Sequence, residues 1–166
     1  MPAFIDVARG ATFLLICAVL AVAGVSDLRT RQIPNWTVLA LMGLFCISFF
    51  VGISVPLLSA LGAALIVFIC SFSLFAFGIV GAGDSKLASA VALFAGVYRL
   101  PEFILYMGLA GGILVLCMMA AEPRALVLLQ LRGRGALDRG VPYGVAIAVA
   151  GAMLLLRTVT QSPFLS

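Results

Sequence analysis

The feature that most restricts how this sequence can fold is a run of 52 residues, 32–83, that contains no charged side chain. Further uncharged runs cover residues 10–26, 87–98, 103–121 and 140–156. A helix that crosses a bilayer needs about 20 mostly apolar residues, so the long run has room for two such helices. Hydrophobic residues make up 64% of the 166 residues and charged residues only 10%. Soluble domains are roughly half apolar and a quarter charged, so this composition indicates a polytopic membrane protein.

The uncharged runs predict an all-α fold, a single membrane-embedded domain over residues 1–166. The long run is expected to break between Gly52 and Pro56, where glycine and proline disfavour a continuous helix. We therefore predict six transmembrane helices, near residues 8–26, 36–53, 57–79, 84–100, 103–121 and 142–159.

The basic residues predict the orientation of the chain, because cytoplasmic loops of membrane proteins carry an excess of lysine and arginine. Loops 27–35, 80–86 and 122–141 fall on one side, with Arg29, Arg31, Lys86, Arg124, Arg132, Arg134 and Arg139. The opposite side has Arg9, Arg99 and Arg157. We expect both termini on the non-cytoplasmic side of the membrane. The net charge of +4 is then a matter of topology and contact with lipids, and no nucleic-acid partner is expected.

Two segments admit a second interpretation. The first apolar run ends with small residues at Ala21-Val22-Ala23 and could be a cleaved secretory signal, although Asp6 and the five further spans argue against cleavage. The loop 122–141 is predicted to form an interfacial helix on lipid headgroups, and a substrate-docking role is the alternative.

The chain contains no histidine, which excludes Ser–His and Cys–His catalysis and histidine metal sites. Its four cysteines occur singly in apolar runs, without any CxxC pair. We expect them to be small buried hydrophobic residues, and we expect no metal and no cofactor.

Asp27 terminates the first apolar run, in the segment Ser26-Asp27-Leu28-Arg29-Thr30-Arg31-Gln32-Ile33-Pro34-Asn35-Trp36. A carboxylate at a helix C-terminus opposes the helix dipole, so local stability does not explain it. The alternative to a functional role is a headgroup-level carboxylate paired with Arg29 or Arg31. Pro34 favours an extended conformation at the preceding residue, and Asn35 is a predicted N-cap of the second helix.

Asp84 lies in the segment Val80-Gly81-Ala82-Gly83-Asp84-Ser85-Lys86 and could simply cap the fourth helix. Residues 87–98 alone would span only ~18 Å of a ~30 Å hydrocarbon core. The helix is therefore expected to begin near Asp84, which draws Asp84 and Lys86 toward the membrane. Ionisable groups at that depth are costly and usually functional.

The predicted topology brings Asp27 and Asp84 to the same membrane face. Two neighbouring carboxylates cannot both ionise cheaply, so one keeps a proton while the other acts as a base. Such a pair can activate water and protonate the leaving group of a peptide. A serine–lysine mechanism is disfavoured, because adjacent Ser85 and Lys86 cannot face each other on a helix.

The segments Asp27-x-Arg29…Ile33-Pro34-Asn35 and Gly81-x-Gly83-Asp84-x-Lys86 resemble the two signature motifs of type IV prepilin peptidases. The start of the last helix, Val141-Pro142-Tyr143-Gly144, is similar to a third segment of that family. The resemblance implies a membrane aspartic protease of the GxGD class with Asp27 and Asp84 as its catalytic pair. The residues expected to support the pair or bind substrate are Gly81, Gly83, Lys86, Arg29, Pro34 and Asn35.

By the same resemblance, the substrate is a prepilin or pseudopilin precursor whose basic leader is removed at the cytoplasmic face of a bacterial inner membrane. Larger family members carry an extended cytoplasmic segment with paired cysteines and also methylate the new N-terminus. In this chain the first predicted helix runs almost directly into the second, and no cysteine pair exists. The chain therefore resembles the short branch associated with Flp or tight-adherence pili, and cleavage without methyl transfer is expected. The alternatives are a small proton-coupled transporter and a non-catalytic scaffold for pilus assembly.

Overall fold

The computed structural model describes residues 2–52, 55–121 and 142–161, and these ranges contain helices and no strand. The helices are α1 (Pro2–Thr30), α2 (Asn35–Val51), α3 (Leu57–Ala76), α4 (Ala82–Ala121) and α5 (Tyr143–Gln161). The predicted all-α class is confirmed for this part of the chain. The interfacial helix predicted within 122–141 lies outside the described residues.

Three segments are long and apolar enough to cross a membrane: Val7–Thr30, Leu57–Ala76 and Ala82–Met118. Asn35–Val51 and Tyr143–Thr158 are shorter apolar helices. Much of their outer surface is apolar, as is typical of a chain whose solvent is lipid. The protein is therefore membrane-embedded, while six spans and the orientation of the termini stay predictions.

Three of the cysteines, Cys46, Cys70 and Cys117, are exposed on the outside of the helices, and Cys17 is half-buried. The expectation that the cysteines are buried is therefore wrong for those three. A thiol behaves as a small hydrophobic group, so it can face lipid tails as readily as a protein core.

Helix α4 contains the largest departure from the predicted boundaries. It has 40 residues and as a straight helix would measure ~60 Å, about twice the hydrocarbon core of a bilayer. Gly96 interrupts it with φ 61° and ψ 174°, a conformation that essentially only glycine adopts. The prediction of separate helices at 84–100 and 103–121 is thus wrong in its boundary, since the break lies inside the predicted fourth helix and Pro101 belongs to the segment that follows.

A contact from α3 stabilises this interruption. The N–H of Val97 donates a hydrogen bond to the hydroxyl of Ser59 at 3.0 Å. The first N–H groups of a helical segment have no partner within it, so Ser59 satisfies one of them from a neighbouring helix. The break at Gly96 is therefore built from tertiary contacts as well as from glycine itself.

Smaller differences affect the first connection. α1 continues to Thr30, so Asp27 lies inside its last turn and not beyond its end. α2 begins at Asn35 with Pro34 as its N-cap residue, and no side-chain hydrogen bond caps it. The predicted capping role of Asn35 is therefore wrong, because the extended conformation of Pro34 (φ −62°, ψ 131°) already ends the loop one residue earlier.

The helices pack through small residues around α4, which contacts α2, α3 and α5, while α1 contacts α2 and α5. Ala60 and Ala63 are the buried residues of α3, and Ala150 of α5 is also fully buried. Small side chains let helix backbones approach closely inside a membrane, where van der Waals contact is the main attraction. This close packing sets the starts of α4 and α5 beside the end of α1.

The bundle has two distinct ends. At one end, the Arg9 Nε donates to the Val51 carbonyl at 3.1 Å, and the Arg99 guanidinium donates to the Thr158 hydroxyl. At the opposite end lies Asp27, in the last turn of α1, together with the first turns of α4 and α5. Both aspartates that the sequence singles out are therefore at one end of the bundle.

Candidate active site

Asp27 is almost completely buried, with 5% of its surface exposed. Its Oδ2 accepts a hydrogen bond from the backbone N–H of Gly144 at 2.8 Å. Arg31 is close enough to attract it electrostatically. The carboxylate is therefore held by the first turn of α5, where free N–H groups and the helix dipole favour a negative charge.

A tight turn after α1 returns the chain to this site. Arg31 adopts the left-handed conformation with φ 55°, and its N–H donates to the Asp27 carbonyl at 3.0 Å. The Ser26 hydroxyl donates to the Gln32 carbonyl at 2.9 Å. Such a left-handed residue is a common way to end a helix and to satisfy its last carbonyls. The turn leaves Ile33 directed into the bundle.

Ile33 is half-buried against the core and lies between the starts of α4 and α5. A Cβ on Gly83 would lie 3.3 Å from the Ile33 Cβ, and a Cβ on Gly144 would lie 2.9 Å from the Ile33 Cδ1. Glycine at both positions thus allows this side chain to fit between the two helices. Neither Ile33 nor Gly144 was among the predicted site residues, although both fall within the segments that carry the family resemblance.

Asp84 lies in the first turn of α4 and is half-buried. Its carboxylate lies close to Gly81, the residue before the helix, since a Cβ on Gly81 would be 3.0 Å from the Asp84 Oδ2. A carboxylate three residues into a helix that reaches back in this way is a capping arrangement, so local stability explains part of its placement. The hydroxyl of Ser85 donates to the Ser71 carbonyl of α3 at 3.1 Å, which anchors this turn.

The Asp27 and Asp84 carboxylates are close enough to repel each other electrostatically. Repulsion between neighbouring carboxylates favours a state in which one is ionised and the other protonated, which gives one acid and one base at the same place. Within residues 2–52, 55–121 and 142–161, no three cysteine or acidic side chains are grouped as metal ligands would be. The arrangement is suited to acid–base chemistry on a water molecule.

The other predicted site residues surround the pair to different degrees. Gly81 and Gly83 form the turn that carries Asp84, and Pro34 is half-buried at the start of α2. The side chains of Arg29, Asn35 and Lys86 are exposed. The structure thus brings the two glycines to the aspartates and leaves these three polar side chains at the surface.

Residues 14–116 match the family model of the type IV leader peptidase family. The chain belongs to this family. The matched range includes Asp27 and Asp84 and ends before α5. Membership makes the chain a leader-peptidase-type membrane protease, and the family implies pilin precursors as substrates. Comparison with curated proteins and with solved structures gave no match.

Proposed function

We propose that this protein is a two-aspartate endopeptidase that removes the leader from prepilin or pseudopilin precursors at the cytoplasmic face of the inner membrane. The observation that carries the proposal is the meeting of Asp27 and Asp84 at one end of the bundle. They come from the end of α1 and the start of α4, so no local sequence relation accounts for their proximity.

In the proposed reaction, a water molecule lies between the two carboxyl groups and the scissile carbonyl. The ionised carboxylate takes a proton from the water as its oxygen attacks the carbonyl carbon, and the protonated carboxyl donates its proton to the carbonyl oxygen. The tetrahedral intermediate then collapses, and the C–N bond breaks as the departing nitrogen receives a proton from the first carboxyl. The second carboxylate takes a proton from a hydroxyl of the intermediate, so both carboxyl groups return to their starting states. The products are the leader, with a new carboxylate, and the mature pilin, with a new amine.

The substrate is proposed to lie with its apolar helix in the bilayer beside α1 and α4, and to unwind at the leader junction. A basic leader would be repelled by the cations near the site, Arg29, Arg31 and Lys86. We assign to these cations the tuning of the carboxylates or contact with lipid phosphates. Asp27 is buried and Asp84 is half-buried, which supports a reaction at a site with restricted access for water.

The cytoplasmic location is supported by the basic residues of the sequence, since seven of the ten belong to loops that the predicted topology puts on the side of the two aspartates. Four of those seven lie within 122–141. Peptidase activity without methyl transfer is supported by the short connection between α1 and α2, residues 31–34, which leaves no room for an additional cytoplasmic segment. Methylation of the mature N-terminus by the purified protein would contradict this part.

The proposal is tested by co-expression with a Flp-type prepilin and detection of leader removal on gels. Wild type is compared with Asp27→Asn and Asp84→Asn, because asparagine keeps the shape and an acceptor oxygen but cannot take up or donate the proton. Glu102→Gln is the matched control, since it makes the same chemical change on α4 away from the pair. Processing by wild type and the control, and by neither aspartate variant, is the expected result.

Unchanged processing by either aspartate variant, once its membrane insertion has been verified, would reject the paired-carboxylate mechanism. A proton-coupled transporter or an assembly scaffold would then become the better explanation of the two aspartates.

A further inference from the structure

Gly144 has no space for a side chain because Asp27 occupies that space. A Cβ at this position would lie 2.8 Å from the Asp27 Oδ2 and 3.0 Å from the Asp27 Cβ, in addition to the contact with Ile33 described above. The same residue donates its backbone N–H to the Oδ2 at 2.8 Å. The close approach and the hydrogen bond therefore depend on each other, since any larger residue would push the carboxylate away from its donor.

We propose that Gly144 is a positioning residue that fixes the Asp27 carboxylate as the base of the aspartate pair. This inference rests on the proposed function, and Gly144 acts through Asp27 without touching the substrate. It lies outside the range matched to the family model.

The packing of α1 against α5 keeps this donor in place. A Cβ on Gly24, about one turn before Asp27, would lie 3.4 Å from the Ala148 Cβ and 3.7 Å from the Val145 Cα. These are ordinary contact distances for a methyl group, so the gap between the two helices at Gly24 would just hold one methyl and is too small for a larger side chain. The first turn of α5 is thus held against the last turn of α1, with the N–H of Gly144 directed at Asp27.

The hydrogen-bond donors and charges near Asp27 differ from those near Asp84, and this difference assigns a role to each carboxyl group. Asp27 receives the backbone N–H of Gly144 from the first turn of α5 and faces the cation of Arg31. Asp84 lies in the first turn of its own helix, and the charge that faces it is that of Asp27. Hydrogen bonds from N–H donors favour the ionised form of a carboxyl group. Asp27 is therefore the carboxylate that accepts the proton of water, and Asp84 is the one that keeps its proton.

The test uses Gly144→Ala in the purified full-length protein, with kcat and KM measured on a prepilin substrate. A displacement of about 1 Å in a reacting group can cost roughly 100-fold in rate, so we expect kcat to fall by one to two orders of magnitude. KM is expected to stay near the wild-type value because the substrate-binding surface is unchanged. A kcat equal to that of wild type would overturn the inference.

Gly151→Ala is the matched control. It makes the same substitution on α5, where the new Cβ would lie 2.9 Å from the Val91 Cγ1 and 3.1 Å from the Leu20 Cδ1. The steric overlap is similar in size, but it lies away from both aspartates. It is expected to lower thermal stability while leaving kcat close to wild type. A loss of kcat as large as that of Gly144→Ala would attribute both effects to general packing and reject the positioning role.

A rescue experiment separates the two contacts of the new methyl group. Ile33→Val removes the Cδ1 that this methyl would meet but leaves the Asp27 Oδ2 in its path. We expect the double variant Gly144→Ala/Ile33→Val to keep the low kcat. Recovery to the rate of Ile33→Val alone would show that packing against Ile33 was the cause and would overturn the inference.

If Gly144→Ala fails to insert, Gly24→Val decides the question, because it moves the start of α5 without adding atoms beside Asp27. A fall in kcat at constant KM is expected, and wild-type kcat in this variant would overturn the inference. The proposed function is monitored separately through Asp27→Asn and Asp84→Asn. If both are inactive while the glycine variants are normal, only the positioning role fails, whereas activity in either aspartate variant removes the mechanism on which it rests.

Discussion

The substitution Gly96→Ala is expected to destabilise the fold strongly. The backbone at Gly96 has φ 61° and ψ 174°, and holding a residue other than glycine in such a region costs about 1–3 kcal/mol. The added Cβ would also overlap the Val55 Cγ1 and lie 2.9 Å from the Ser59 Oγ. Overpacking of this kind typically costs ~1–3 kcal/mol. The two contributions together predict a loss of about 4 kcal/mol in the free energy of unfolding.

This loss is measured by denaturant-induced unfolding of the purified protein in detergent micelles. Gly108→Ala is the control, because it lies in the same helix and a Cβ there would have nothing within 4 Å. It should be neutral or stabilising by up to ~1 kcal/mol, from the higher helix propensity of alanine. Ser59→Ala removes the acceptor of the Val97 N–H and should cost about 1 kcal/mol. If the free energy of unfolding of Gly96→Ala lies within about 1 kcal/mol of that of Gly108→Ala, the strain and overlap assigned to Gly96 are refuted.

Three further outcomes are expected. Ser85→Ala should retain peptidase activity and lower the free energy of unfolding by about 1 kcal/mol, because the Ser85 hydroxyl donates to the Ser71 carbonyl. If this variant is as inactive as Asp84→Asn, a serine mechanism is indicated instead. Arg9→Gln should speed amide hydrogen exchange in the C-terminal turn of α2, because the Arg9 side chain donates a hydrogen bond to the Val51 carbonyl there. Unchanged exchange rates would contradict this stabilising role. The cleavage rate should depend on pH in a bell shape, because one carboxyl must be ionised and the other protonated, and a rate that rises monotonically with pH would argue against a pair.

The parts of the fold that sequence could predict are those governed by the cost of charge in lipid. The positions of Asp27 and Asp84 limit the apolar runs, so the end of α1 and the start of α4 were predicted within a few residues. The length argument that residues 87–98 are too short to span alone also placed Asp84 in the first turn of its helix, as observed. Hydrophobicity and length are properties of local sequence, which is why these features were accessible.

The features that sequence could not predict depend on partners distant in the chain. The chain has 17 glycines, and only the contact with Val55 and Ser59 of the preceding segment distinguishes Gly96 as the point where α4 breaks. Similarly, the donor to Asp27 is separated from it by 117 positions in sequence. A backbone N–H belongs to every residue except proline, so no side-chain pattern identifies Gly144 as that donor. Its position after Pro142 was the available signal.

The central claim, that Asp27 and Asp84 act as a unit, is tested most directly by cleavage rates of the purified protein on a prepilin under single-turnover conditions. Wild type is compared with Asp27→Asn, Asp84→Asn and the double variant, and mass spectrometry identifies the product. Residues that act as a unit show strongly non-additive losses. We predict that each single variant loses as much activity as the double variant. Losses that add from the singles to the double, or a single variant that cleaves at the wild-type rate, would contradict the account.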